Sequence, residues 1–158
     1  MTLRRTALLL LLVYFSLPFF AKTITGKVIA VKDGDTIHVL VNRSTYKIRL
    51  DGIDCPEKDQ AFGAKARQFT SAMVFGKTVR VALIGKDQYQ RWLGKVYTLG
   101  GTSLNEALLS NGLAWHYKHY NSEKRLAKLE SNARSKRIGI WSQKNPIPPW
   151  DFRKAKRK

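Results

Sequence analysis

The chain has little of three things: acidic residues, cysteine and long apolar runs. Its 158 residues contain 11 Asp plus Glu against 29 Lys plus Arg, a formal net charge of +18. That excess favours a polyanionic partner, either nucleic acid or an anionic membrane surface. A single cysteine, Cys55, excludes an internal disulfide, so the fold must be stable without one. No apolar run approaches the roughly 20 residues that a membrane-spanning helix needs.

The first 21 residues have the pattern of a secretory signal peptide. A basic stretch precedes an apolar run from Leu8 to Phe20, and Ala21 offers a small residue for cleavage. Lys22 would then begin the mature chain, although cleavage near Ser16 or an uncleaved anchor are alternatives. We therefore expect an exported protein, periplasmic or secreted, whose mature chain is not inserted stably in a membrane.

Residues 22–143 are expected to form one domain with a small barrel and helical cover, an α+β fold. Alternating apolar residues predict five strands, at Thr23–Val31, Thr36–Val41, Tyr46–Leu50, Thr78–Leu83 and Trp92–Leu99. Three-to-four spacing predicts helices at Ala61–Phe75, Leu104–Ser110 and Ser122–Arg137. Five strands interrupted by one helix and followed by two more are typical of an OB-like barrel.

Residues 144–158 differ in composition and are expected to be a basic tail. The segment Pro146–Trp150 is rich in proline, which predicts a stiff, non-helical start. Asp151–Lys158 is dominated by Lys and Arg, which predicts a mobile end. Such a tail could hold a phosphate backbone or simply keep the protein soluble.

The few acidic residues are clustered. Five of the 11 fall between positions 33 and 57, namely Asp33, Asp35, Asp51, Asp54 and Glu57. Clustered carboxylates repel each other unless a cation neutralises them, and calcium and magnesium prefer oxygen ligands. The predicted second and third strands are neighbours in a meander, which can bring Asp35 and Asp54 to one end of the sheet.

Five stretches in order resemble the staphylococcal nuclease (thermonuclease) family. They are Val31-Lys-Asp-Gly-Asp-Thr36, Arg49-Leu-Asp-Gly-Ile-Asp-Cys-Pro-Glu57, Asp87-Gln-Tyr-Gln-Arg91, Asn105-Glu-Ala-Leu108 through Gly112-Leu-Ala114, and Gly139-Ile-Trp-Ser142. The resemblance implies a five-stranded OB-like barrel with about three helices. It also implies calcium-dependent hydrolysis of DNA and RNA with little sequence specificity, leaving 3′-phosphates, by a protein that we expect to be a monomer.

The resemblance implies a calcium site. Asp35 and Asp54 match direct calcium ligands, and the backbone carbonyl of Cys55 matches a third. Asp33 matches an acid that supports this set from outside it. Cys55 stands where threonine or alanine is common, a change that a backbone ligand tolerates.

The resemblance also implies catalytic and nucleotide-binding residues. Glu57 matches a glutamate that positions or deprotonates the attacking water, while Arg49 and Arg91 match two phosphate-binding arginines. Guanidinium groups suit this task because they donate two parallel hydrogen bonds to phosphate oxygens. Tyr89 and Tyr117 match the region that presents aromatic rings to the nucleotide, where stacking tolerates any base.

Two residues near Arg91 depart from the family pattern. Gln90 stands where glycine is common, and Gln88 where lysine is frequent. The alternative function is a non-catalytic nucleic-acid-binding module on the same barrel. The acidic clusters argue against that alternative, because carboxylates beside a bound phosphate would repel it.

Overall fold

The computed structural model describes residues 22–157, so the predicted signal peptide lies outside the described residues. Five strands close a barrel in the order β1-β2-β3-β6-β5, and a separate two-stranded ladder joins β4 and β7. The strands are β1 Thr23–Val31, β2 Thr36–Val41, β3 Ser44–Leu50, β4 Ile53–Asp54, β5 Thr78–Lys86, β6 Trp92–Thr98 and β7 Trp115–His116. The predicted five-stranded barrel is thereby confirmed.

The barrel forms because one side of each strand is apolar and turns inward. Val28, Ile37, Val39, Ile48 and Val81 are fully buried in its core. The first three strands make the expected antiparallel meander. A parallel pairing of β3 with β6 and an antiparallel pairing of β1 with β5 close the barrel, which leaves none of its strands at an open edge.

Four α-helices lie within residues 22–157. They are α1 Gly63–Val74, α2 Leu104–Ser110, α3 Lys124–Ser135 and α4 Pro149–Lys156, with a short 3₁₀ turn at Gly139–Ser142. The first three correspond to the predicted helices. The fourth was not predicted: Trp150, which the sequence placed in a non-helical segment, lies in its first turn because Pro149 sits at the helix start, where proline is tolerated. Among these helices, none has the length and apolar character needed to cross a membrane.

Asn105, on α2, fixes the turn that follows β3. Its side chain is buried; it accepts a hydrogen bond from the backbone N–H of Val96 at 3.0 Å and donates one to the carbonyl of Asp51 at 2.9 Å. Because both the oxygen and the nitrogen of this buried amide are hydrogen-bonded, the side chain holds the loop rigidly against the barrel. The turn held by Asn105 leads directly into β4.

Two glycines bring the end of α2 against the 3₁₀ turn. Gly112 and Gly139 have φ values of +60° and +59°, and a Cβ on either would overlap backbone carbonyls of the facing loop. We expect Gly112→Ala to lower the free energy of unfolding by about 2 kcal/mol or more, since it adds a clash to a left-handed backbone. Urea unfolding would measure this loss. Gly100→Ala, at an exposed glycine with room for a Cβ, is the control and should change little.

Candidate active site

The structure brings Asp35 and Asp54 together through one shared arginine. Arg49, near the end of β3, contacts Asp35 Oδ2 through Nη1 at 3.0 Å and Asp54 Oδ1 through Nη2 at 2.7 Å. The two carboxylates are 5% and 1% exposed. The predicted meeting of these acids at one end of the sheet is therefore present, and Arg49 lies between them.

Local hydrogen bonds position Asp35 at the start of β2. Its backbone N–H donates to Asp33 Oδ1 at 3.2 Å, and its carbonyl accepts from the N–H of Leu50 at 2.8 Å. Its carboxylate Oδ2 accepts from the N–H of Cys55 at 2.6 Å. These contacts connect both acidic clusters, and Asp33 lies beside the Asp35–Arg49–Asp54 group.

Asp54 is held by strand pairing and by Arg49. It lies in β4, where it is paired with Trp115 of β7. Arg49, which binds Asp54 through Nη2, also donates from Nη1 to the carbonyls of Leu50 and Ile53 at 3.0 and 2.9 Å. A guanidinium with this many partners is fixed in orientation, so the carboxylate that it binds is fixed as well.

Burial makes this group of charges costly without a cation. Burial raises the pKa of Asp35 to about 7, although Arg49 opposes the shift. Burial also raises the pKa of Asp54, against the hydrogen bonds from Arg153 and the charge of Arg49. The same burial raises the pKa of the Cys55 thiol well above its usual value, so this cysteine is a protonated core residue at neutral pH.

Glu57 lies at the rim of the site, with its side chain 37% exposed. Its backbone N–H donates to Gln60 Oε1 at 3.1 Å, and its carbonyl lies so close to Gly63 that any side chain there would overlap it. The loop is therefore tightly folded, and it leaves the carboxylate of Glu57 partly open to solvent, so that a water molecule can reach it.

Arg153 is a site residue that the sequence reasoning missed. It lies on α4 and donates from Nη2 to Asp54 Oδ2 at 2.8 Å and from Nη1 to Glu57 Oε1 at 2.6 Å. Nothing in the spacing of the tail singled it out among the surrounding basic residues. The surplus of acids around position 54 was the available signal that some further cation should lie there.

Arg91 and Tyr89 lie in the loop between β5 and β6. Arg91 immediately precedes β6, whose first residue, Trp92, is registered with Ile48, so it lies just before the strand that pairs with the one that carries Arg49. Its guanidinium pairs with Asp87 at 2.7 Å and lies 5.5 Å from the ring centre of Tyr89, which is 71% exposed. Gln90 has a φ of +62°, which explains why glycine is favoured at that position.

Tyr117 lies in an aromatic cluster beside the carboxylates. Its ring stacks on Trp150 of α4 at 5.2 Å, with an angle of 4° between the planes, and meets Tyr120 edge to face. Trp115 is buried against Trp141, as expected for a core residue. One face of the Tyr117 ring, which is predicted to contact the nucleotide, is therefore covered by an indole ring in this structure.

The donor chemistry of the site fits calcium. No three His, Cys, Asp or Glu side chains within residues 22–157 form a group that could hold a metal alone. Asp35 and Asp54 do converge, and calcium completes its shell with backbone carbonyls and water. Three carboxylates share two arginines here, and a fourth lies beside them, so negative charge remains for a cation; the three are those of Asp35, Asp54 and Glu57, and the fourth is that of Asp33.

Comparison with known proteins identifies the family. The family model for staphylococcal nuclease homologues matches residues 47–143, a stretch that includes Arg49, Asp54, Glu57 and Arg91. A protein named uncharacterized endonuclease from Escherichia coli O157:H7 is 41% identical over 147 residues, covering 93% of this chain and 96% of its own. A micrococcal nuclease from Shigella flexneri is 41% identical over 140 residues, covering 82% and 80%.

A plant relative matches this chain over a smaller part of its own length. The staphylococcal-like nuclease CAN1 of Arabidopsis thaliana is 43% identical over 112 residues, which is 71% of this chain but 34% of that protein. The resemblance inferred from five short stretches is confirmed by the family match and by the bacterial relatives. The chain belongs to the staphylococcal nuclease family, a family of endonucleases that hydrolyse nucleic acids.

Proposed function

We propose that this protein is an exported, calcium-dependent endonuclease that hydrolyses DNA and RNA with little sequence specificity. The observation that carries the proposal is the buried pair Asp35 and Asp54 joined by Arg49 at 3.0 and 2.7 Å. Buried carboxylates beside a phosphate-binding arginine have a use in metal-assisted phosphodiester cleavage. A protein that only bound the nucleic acid backbone would gain nothing from them.

Asp35, Asp54 and the carbonyl of Cys55 are the groups that would hold calcium. When bound there, the cation would polarise the phosphoryl group and offset its negative charge. Arg49 and Arg91 would donate to the phosphate oxygens and stabilise the extra charge that develops as water attacks. Glu57 would accept a proton from that water, since its carboxylate is exposed at the rim of the site.

The products and the substrate range follow from the family and from the surface of the chain. Cleavage on the 5′-oxygen side leaves 3′-phosphates, the outcome that the family resemblance implies. The net charge of +18 attracts any polyanion, and Tyr89 and Tyr117 can stack on any base. Export, to the periplasm or beyond, rests on the N-terminal pattern, and we propose that the mature protein acts as a monomer.

Metal removal tests the proposal. We expect the purified mature protein to digest single-stranded DNA and RNA in calcium, and EDTA to reduce the rate by at least about 10²-fold, because phosphate and carboxylates then repel each other. Gel electrophoresis of end-labelled oligonucleotides measures cleavage, and phosphatase treatment of the products detects 3′-phosphates. Restored cleavage on adding calcium back is the control. Salt-sensitive binding without turnover in calcium or magnesium would instead support the binding-module alternative.

A further inference from the structure

The C-terminal segment 145–157 lies across the candidate active site. Gln60 Nε2 donates to the carbonyl of Ile147 at 2.7 Å, and Lys156 forms an ion pair with Asp59 on the same loop. Between these two contacts, α4 brings Trp150 and Arg153 to the site. The segment is therefore docked at four points on the residues that surround the carboxylates.

Arg153 binds the carboxylate of Asp54, a predicted metal ligand, and that of Glu57, the predicted base. Its Nη2 lies 2.8 Å from Asp54 Oδ2, and its Nη1 lies 3.3 Å from Asp54 Oδ1 and 2.6 Å from Glu57 Oε1. Arg49 takes Asp54 Oδ1 from the other side at 2.7 Å. Since Asp54 is 1% exposed, both of its oxygens are enclosed by guanidinium groups. A cation can reach Asp54 only where one of these groups withdraws.

Of the two arginines, Arg153 is the one that is able to withdraw. The Arg49 side chain is only 12% exposed and also donates to two backbone carbonyls, so its withdrawal would break those two hydrogen bonds as well. Arg153 is on a terminal helix with its side chain 33% exposed, and Lys156 and Asp59 form an exposed pair that contributes little to docking.

Trp150, on the same helix, covers a residue that is predicted to bind the nucleotide. Trp150 and Arg153 are three residues apart on α4, and therefore share one face of the helix. While Arg153 binds Asp54 and Glu57, Trp150 stacks flat on Tyr117. One helix face thus covers both the carboxylates and the aromatic ring that are predicted to meet the substrate.

We propose that Arg153 is a further active-site residue, whose positive charge pairs with Asp54 and Glu57 in the metal-free enzyme and is displaced when calcium binds. Calcium binding thereby releases α4 and uncovers Tyr117. This inference rests on the proposed calcium site. Calcium then binds only to molecules in which the helix is undocked. Its apparent dissociation constant is therefore the intrinsic constant divided by the undocked fraction. Removing the arginine removes that competition.

Isothermal titration calorimetry of the mature protein with calcium tests the exchange. We expect Arg153→Gln to bind calcium about 10-fold more tightly than the wild type. Lys154→Gln makes the same change in charge on a neighbouring exposed residue of α4, and it should bind calcium like the wild type. Equal affinity in all three proteins, or weaker binding by Arg153→Gln, would overturn the proposal while leaving the calcium site intact. Absence of calcium binding in all three would overturn the site itself and the exchange with it.

Hydrogen exchange gives a readout that does not depend on activity. In the wild type, calcium is expected to speed amide exchange in residues 149–157, while the barrel strands stay protected. Trp150→Ala removes the ring contacts of α4 with Tyr117 and Trp115 without altering any carboxylate, so it should also tighten calcium binding. Slower exchange of α4 on adding calcium would show that the helix remains closed over the metal, contrary to the proposal.

Discussion

Replacing Arg49 by alanine is expected to lower the rate of DNA cleavage in calcium by about 10² to 10³-fold. Arg49 is the predicted phosphate ligand, and loss of one donor to developing charge costs about 3 to 4 kcal/mol of barrier. It is also the group that joins Asp35 to Asp54. Steady-state cleavage of a labelled oligonucleotide at saturating calcium measures the loss.

The same substitution should destabilise the metal-free protein. The two buried carboxylates lose the arginine that they share, and removing one partner of a buried ion pair costs about 3 kcal/mol or more in the free energy of unfolding. Arg49→Lys separates the two effects: it keeps a charge near the carboxylates but loses the two-pronged geometry, so stability should recover more than activity. Arg80→Ala, at an exposed position on β5, is the control for loss of positive charge. Full activity in Arg49→Ala would rule out the assigned role.

Glu57→Gln is expected to reduce the rate of cleavage by about 10² to 10⁴-fold, with calcium affinity changed much less. Glutamine keeps the size of the side chain but cannot accept a proton from water, and a positioned base contributes about that factor. Because the side chain is 37% exposed, the free energy of unfolding should hardly change. Single-turnover cleavage, calorimetry and urea unfolding measure the three quantities separately.

Glu106→Gln is the matched control for Glu57→Gln. Glu106 lies on α2 and pairs with Arg125 at 2.6 Å, so the control removes a carboxylate and a surface ion pair away from the site. It should cleave DNA at nearly the wild-type rate. A Glu57→Gln enzyme with unchanged turnover and an unchanged pH profile would mean that another group activates the water.

The sequence predicted the barrel because its strands have a strong period. Val39 and Ile48 alternate with outward residues, and the turns between strands are short, so local pattern and tertiary structure agree. The approach of Asp35 to Asp54 was likewise predictable, since Asp35 precedes β2, Asp54 follows β3, and these two strands pair with each other. The parallel pairing of β3 with β6 was not, because no local pattern specifies which distant strand closes a barrel.

The C-terminal segment shows where sequence patterns fail. Proline and a dense run of cations indicated a stiff start and a mobile end, but Pro149 begins a helix instead of preventing one. What docks α4 is contact with residues far away in the chain, Tyr117 through Trp150 and Asp54 through Arg153. The composition of the segment cannot reveal such contacts, because it says nothing about the distant residues that the segment touches.

The long sequence separations within this barrel have a consequence for when the enzyme becomes active during its synthesis. Asp54 is set by pairing with Trp115, and the turn before it by Asn105, so the carboxylates are fixed only after more than half the chain has folded. Pairings this distant form slowly, because loop closure must precede contact. An exported chain that crosses the membrane before it folds would therefore pass the cell's own nucleic acids without an assembled site, and could cleave nucleic acid only after translocation.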